Sequence, residues 1–435
     1  MLIQRLTKMG ISTAVTAFNT KVLPASAAQI TFSSMLEDGA FTASTDAAPW
    51  INASRDALRG NMCVGIPTET VYGLAANALD ASAVQQIFAV KGRPSDNPLI
   101  VHVSSIRMLR ALYHLPACDD AQKVLPFLGT DNAALEGSAL HAALQAAEQT
   151  GEWPEIPQAY HDVIRKFWPG ALTLIMPRPP CIPIEVLGGH GTTVAVRFPS
   201  HTVARAAIAA CGLPLAAPSA NASGRPSPTL AAHVRHDLDG RLPLIIDSGP
   251  CDVGVESTVL DAYSSNAYVD GELVPCILRP GGVTFESLQS LGGAYERLRV
   301  YRRDFTSTEM EVNPTTPGMK YRHYSPTAPV YLFVPSDASS ASCARQREKM
   351  HELLAQQKGK IGVVTVGDMG ISGADHVVCV TKDAADLAHR IFAVLRMLDE
   401  DEHVDKIFVQ GVDESNEGMA VMNRLAKAAS HHIVC

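Results

Sequence analysis

In the stretch KGRPSDNPLIVHV, Lys91 and Arg93 stand before a Ser-Asp-Asn turn, two prolines bar a helix, and Asn97 and His102 follow. Arginine grips phosphate oxygens as a planar fork and lysine as a point charge, so the pair could hold a polyphosphate. The same pair also suits a solvated helix C-terminus, where the helix dipole favours cations. The usual phosphate cradles do not occur: there is no GxxxxGK[ST], and the glycines of GDMGISG lack the spacing of a dinucleotide fingerprint. Any polyphosphate would be held by side chains.

Other stretches add polar groups at strand ends. TTVAVRFP puts Thr193, Ala195 and Arg197 on one strand face, which reads either as a snorkelling edge residue or as a bidentate clamp for a carboxylate. APSANASGRPSPT offers Ser219, Asn221, Ser223 and Ser227 around Gly224, a turn that suits ribose or phosphate and equally makes an ordinary loop. ESTVLD and LRPGG contribute Ser257, Thr258 and Arg279 where α/β sheets place ligands.

These groups need a sheet to bring them together. Helical periodicity from Ile51 to Leu58 stops at Gly60 and gives way to a buried run, Met62–Pro67; DASAVQQIFAVKGRP repeats the helical period behind an Asp80 cap; PLIVHV is the next strand. ALTLIMP, TTVAVRFP, LPLAAPSA, LPLIIDSG, ESTVLDA and PCILRPG follow as strands with few helices between them. The fold expected is α/β (α+β), a twisted mixed sheet with a concave cavity, plus a small doubly wound Rossmann-like domain from PVYLFVP, KIGVVTVG, KIFVQGV and two amphipathic helices. The expected boundaries are a leader over 1–45, a main domain over 46–299 with a surface insertion near 117–159, a linker over 300–328 and a C-terminal domain over 329–435.

Composition narrows the function. With 435 residues, 46% of them hydrophobic, two or three domains can be filled; a net charge of -8 and a pI near 6.0 exclude a polycationic coat, so any polyanion site must be local. Nine cysteines are scattered without CxxC, which fits reduced thiols in a cytoplasmic compartment and shows no zinc site. No apolar run of about 18 residues is present to span a membrane. The leader has no acid before Glu37, a composition that suits either a plain cytoplasmic extension or a mitochondrial presequence.

PTETVYGL, KGRPSDNPLIVHV, TVAVR, APSANASGRPSPT, ESTVLD and RPGG, in that order, resemble the YrdC-domain family, and the tail joined by PGMKYRHYSP resembles the long, two-domain form of L-threonylcarbamoyladenylate synthases. The resemblance runs from about Ala48 to the C-terminus. It implies condensation of L-threonine, bicarbonate and ATP, with Mg²⁺ accompanying ATP, to threonylcarbamoyladenylate and pyrophosphate. The adenylate would pass to a downstream tRNA threonylcarbamoyl transferase machinery, with tRNA itself a further partner. By the same likeness Lys91 and Arg93 carry the catalytic charge and face the phosphates, with Asn97, Thr193, Ser219, Asn221, Ser227 and Arg279 around the nucleotide. Thr70, His102, Arg197, Ala217 and Ser257 would surround threonine, with Arg197 on its carboxylate and His102 holding its hydroxyl or accepting a proton. Tyr321, His323 and Tyr324 would form a flap. Two alternatives stay open: an RNA-binding maturation factor with a cationic concave sheet, and a carbamoyl-phosphate-using transferase.

Overall fold

Eleven strands form one mixed sheet, in the spatial order Lys21–Pro24, Leu244–Asp247, Val64–Ile66, Gly73–Asn77, Leu215–Ala216, Ile100–His102, Thr193–Arg197, Leu172–Pro177, Thr258–Asp261, Cys276–Arg279 and Arg299–Val300. The computed structural model describes residues 18–34, 36, 39–115, 153–301, 323–380 and 383–435. Central strands are nearly continuous apolar runs because helices cover the sheet. The helix Ala81–Lys91 starts where the Asp80 carboxylate accepts the amides of Ser82 and Ala83 at 2.8 and 2.9 Å, and it stops at Gly92, whose φ of 63° is left-handed. That stop aims Lys91 and Arg93 at the sheet's edge of loops rather than onward along a helix.

A second sheet, in the order His376–Val380, Ile361–Val366, Lys406–Gln410, Val330–Val334, His431–Val434, is parallel throughout, with amphipathic helices Ala384–Arg396 and Glu417–Ala428 against it. The doubly wound expectation holds, with two edge strands that the sequence reading did not pick out. No helix among the described residues is long and apolar enough to cross a membrane.

Two expected boundaries are corrected. The leader was expected to extend to residue 45, yet Lys21–Pro24 pairs in parallel with Leu244–Asp247 and Thr20 Oγ1 donates to the Leu242 carbonyl at 2.7 Å. An unpaired edge strand attracts a partner, and this segment supplies it; residues 1–17 lie outside the described residues. The insertion was expected to reach residue 159, but Trp153 and Ile156, each 3% exposed, belong to the main core, and Glu155 pairs with Arg110 at 2.7 Å. Its remainder, 116–152, is outside the described residues.

The two sheets share apolar packing. Val71 and Val255 of the larger unit lie in one cluster with Tyr324 of the linker and Ile391 and Phe392 of the smaller. Arg396 donates to Asp237 Oδ2 at 2.7 Å, with both side chains 1% exposed, and to the Pro226 carbonyl at 2.6 Å. Breaking a buried pair strands the partner's charge. Asp237→Ala should therefore cost about 3 kcal/mol in urea unfolding; a loss below about 0.5 kcal/mol, the scale of an exposed pair, would show that this pair does not hold the units together.

Candidate active site

One cleft collects most of the residues singled out above. It lies where strand ends and loops converge, a usual place for a ligand site in such sheets. Lys91, Arg93, Arg197, Arg225 and Arg279 line it together with one carboxylate, Glu256, so its lining is strongly cationic in an acidic chain.

Adjacent strands set one part of the wall. Parallel register puts His102 beside Arg197, and antiparallel register puts Arg197 beside Thr173. Arg197, 4% exposed, donates from Nη1 to Thr70 Oγ1 at 2.8 Å, from Nη2 to Glu69 Oε1 at 2.7 Å and from Nε to the Gly170 carbonyl at 3.3 Å. Thr68 spends its proton on the Val71 carbonyl at 2.6 Å, so Thr70 is the donor in the 2.9 Å contact between the two hydroxyls. Thr70 is thus locked between an arginine and a threonine. Thr173 and Ser257 share a hydroxyl contact at 2.7 Å, and Arg279 holds the Ser257 carbonyl at 2.8 Å and its hydroxyl at 3.2 Å.

His102 is neutral at pH 7. Burial, and then the Arg197 charge, push it down to about 3, and Nδ1 reaches the Ile100 carbonyl at 3.1 Å. A carbonyl only accepts, so this tautomer carries its proton on Nδ1 and leaves Nε2 as an acceptor. Of the two roles expected of His102, holding a hydroxyl and accepting a proton, burial beside a guanidinium favours the first.

The opposite wall is the Ser-Ala-Asn turn. Lys91, 3% exposed, donates to the Ser219 carbonyl, to the Asn221 carbonyl at 2.5 Å and to Asn221 Oδ1 at 3.4 Å. Ser219 Oγ also meets Asn221 Oδ1, so lysine and turn hold each other. Burial, with Arg93 adding to it, lowers the Lys91 ammonium well below its ordinary value. Arg93 donates to the Pro98 carbonyl at 3.1 Å. From the linker, His323 and Tyr324 close the cleft. Burial, then Arg93, Lys427 and Lys91, push His323 down to about 3, and its buried Nε2 has no partner among the described residues. Tyr324 takes a left-handed φ of 66° and packs its ring 5.2 Å from Phe392, while Ser325 donates its amide to Gly224 at 2.8 Å. Tyr321 lies outside the described residues.

Ala217, Ser219, Asn221 and Ser257 line the cleft as expected; Asn97, Thr193 and Ser227 do not. Asn97 is buried and offers its carbonyl to Arg93. Ser227 is fully buried behind the wall and donates to Glu256 at 2.6 Å. Thr193 does lie on the strand of Arg197, but four residues of extended chain separate them by about 13 Å; it lines a neighbouring cleft of about 260 Å³ with Pro98, Leu99 and His190. Sequence reading missed Glu69, Glu256 and Arg424. The two acids stand inside the quoted motifs and could have been flagged as charges in buried runs. Arg424 carries no such signal, since MNRLAK reads as a solvated helix face.

Comparison with known proteins gives the family. A family model described as telomere recombination matches residues 56–127 and 137–281, and one described as threonylcarbamoyl-AMP synthase, C-terminal domain, matches 283–430. Threonylcarbamoyl-AMP synthase of Schizosaccharomyces pombe is 44% identical over 84% of this chain and 85% of its own length. That of Bacillus subtilis is 38% identical over 89% and 94%. The crystal structure of P. abyssi Sua5 complexed with L-threonine superposes with a TM-score of 0.71 at 33% identity, covering 96% of this chain and 100% of the other.

Two buried carboxylates make stability depend on acid. Burial would raise Glu69 and Glu256, but the Arg197 charge and hydrogen bond outweigh it for the first, and Arg424 and Arg279 hold the second down to about 2. Their contribution is complete above the unfolded value of about 4.3 and is lost as pH falls through the lowered folded values. Urea unfolding between pH 6 and 3 should show a steep loss of stability, and Glu69→Gln should flatten that slope; an unchanged slope would mean that Glu69 is not held ionised.

Proposed function

The chain belongs to the threonylcarbamoyl-AMP synthase family of enzymes in its two-domain form, and on that footing we propose that it condenses L-threonine, bicarbonate and ATP to threonylcarbamoyladenylate and pyrophosphate, for the threonylcarbamoyl modification of tRNA. The observation that carries the reading is the single cleft whose one wall presents Arg197, Thr70 and His102 and whose other presents Lys91, Arg93 and the Ser219–Asn221 turn.

Threonine's amine and bicarbonate give a carbamate and water. A carbamate oxygen then attacks the α-phosphorus, the bond to the β-phosphate oxygen breaks, and pyrophosphate leaves with its electron pair. No covalent enzyme intermediate is needed, so the protein's part is positioning and charge. Arg197 keeps one N–H on each terminal nitrogen beyond its three bonds, a fork for the threonine carboxylate. His102 Nε2 accepts from the threonine hydroxyl. Arg93, Arg279 and the neutral His323 face the triphosphate, while Lys91 fixes the turn against which it lies.

Mg²⁺ would arrive on the triphosphate. Among the described residues the one carboxylate lining the cleft, Glu256, is already bound to Arg424 and Ser227, so they offer no carboxylate set for a resident ion. One cluster of potential metal ligands among the described residues, His236, Asp237 and Glu400, lies elsewhere and is engaged by Arg225 and Arg396. Arg197 and Arg279 are each 4% exposed, which suits a small enclosed ligand better than a duplex laid across the sheet.

Pyrophosphate release from ATP should require threonine and bicarbonate together; release that ignores either, or salt-sensitive RNA binding without turnover, would overturn the synthase reading. Arg197→Lys keeps the charge and loses the fork, so KM for threonine should rise by roughly 100-fold with KM for ATP little changed. Equal losses on both substrates would remove Arg197 from the threonine carboxylate.

A further inference from the structure

Glu256 is an unexpected residue to find on a wall that must face a triphosphate. One of its oxygens accepts from Ser227 and the other from Arg424 Nε at 2.7 Å. Arg424 comes from the helix Glu417–Ala428 of the smaller unit; its side chain is 1% exposed, its Nη1 donates to the Pro280 carbonyl at 2.6 Å, and its guanidinium lies 5.7 Å from the centre of the Tyr324 ring. Its buried Nη2 has no partner among the described residues. A cation from one unit therefore reaches through the interface to an anion on the other unit's ligand wall.

We propose that Arg424 is a positioning residue for the nucleotide: by binding Glu256 it cancels the one negative charge on the cleft wall, so that docking of the smaller unit switches the cleft into a state that accepts a triphosphate. The proposal rests on the reading of this cleft as a nucleotide site. A buried carboxylate without its cation would repel the phosphates across a medium that screens poorly. The groups that face Glu256 are Ser227 from the turn, Arg279 from its strand, Lys91 from its helix, His323 and Tyr324 from the linker and Arg424 itself. Without Arg424, Glu256 keeps Arg279 and the Ser227 hydroxyl but loses its largest counter-charge, so the carboxylate faces the phosphates less well compensated. A merely structural arginine would not be rescued by removing the Glu256 charge.

The test measures binding of a non-hydrolysable ATP analogue to the full chain by calorimetry, each value taken as a ratio to wild type. Arg424→Gln should weaken binding by roughly tenfold. The double variant Arg424→Gln, Glu256→Gln should return to within about twofold of wild type, and Arg424→Lys should retain most of the affinity. Glu256→Gln alone should bind at least as tightly as wild type, a result that does not depend on how well the Arg424 variants fold. A double variant as weak as Arg424→Gln, or a tenfold loss in Glu256→Gln, would each overturn the proposal. Wild type that binds no nucleotide at all would overturn the nucleotide reading with it, whereas normal wild-type binding with an unaffected Arg424→Gln overturns this assignment alone.

Discussion

Crowding of like charge is the constraint on which the rest of the molecule depends. Five cationic side chains converge on one buried cleft, and a buried charge is costly unless its hydrogen-bonding groups are satisfied. The chain satisfies most of them with carbonyl oxygens: Ser219 and Asn221 for Lys91, Pro98 for Arg93, Ser257 for Arg279. A carbonyl accepts a hydrogen bond without carrying a full negative charge, so the donors are met while the positive potential survives. Carboxylates meet the others: Glu69 lies against Arg197, and Arg225 reaches Asp237 and Glu400 behind the cleft, while Glu256 is shared between Arg279 and Arg424.

Those acceptors are backbone atoms of loops, which explains why the loops are held so firmly. Lys91 clamps the Ser-Ala-Asn turn, and the Ala222 amide in the same loop is taken by Asp237 at 3.0 Å, itself paired with Arg396. The smaller unit thus braces the wall from behind. Tyr324 keeps a left-handed backbone that a bulky residue rarely adopts, because its ring is packed on Phe392 and the segment after it is fastened at Ser325, Thr327 and Ala328, the last two by Asp399. Linker and smaller unit act as part of the cleft rather than as an appendage.

Most of the fold was legible because it rests on local periodicity. Asp80 and Gly92 bracket a helix by rules that operate over a few residues, and PVYLFVP, KIGVVTVG and KIFVQGV are apolar enough to be parallel strands in any context. The edge strand Lys21–Pro24 was not legible, since KVLP is short and its place is decided by a sheet edge more than 200 residues away.

Of the site, the sequence by itself determined the chemical types: which cations, hydroxyls and amides exist, and that their ordered motifs belong together. Only the tertiary structure decided which of them share a cleft. Thr193 and Arg197 look equivalent in one strand, yet about 13 Å of extended chain separates their clefts; Ser227 looks like a ligand group and lies behind the wall; Arg424 looks solvated and is buried against Glu256, 168 residues away in the chain. The reason is physical: a side chain's identity is a local property, whereas its burial, its charge partner and its neutral or ionised state depend on what the rest of the chain packs against it.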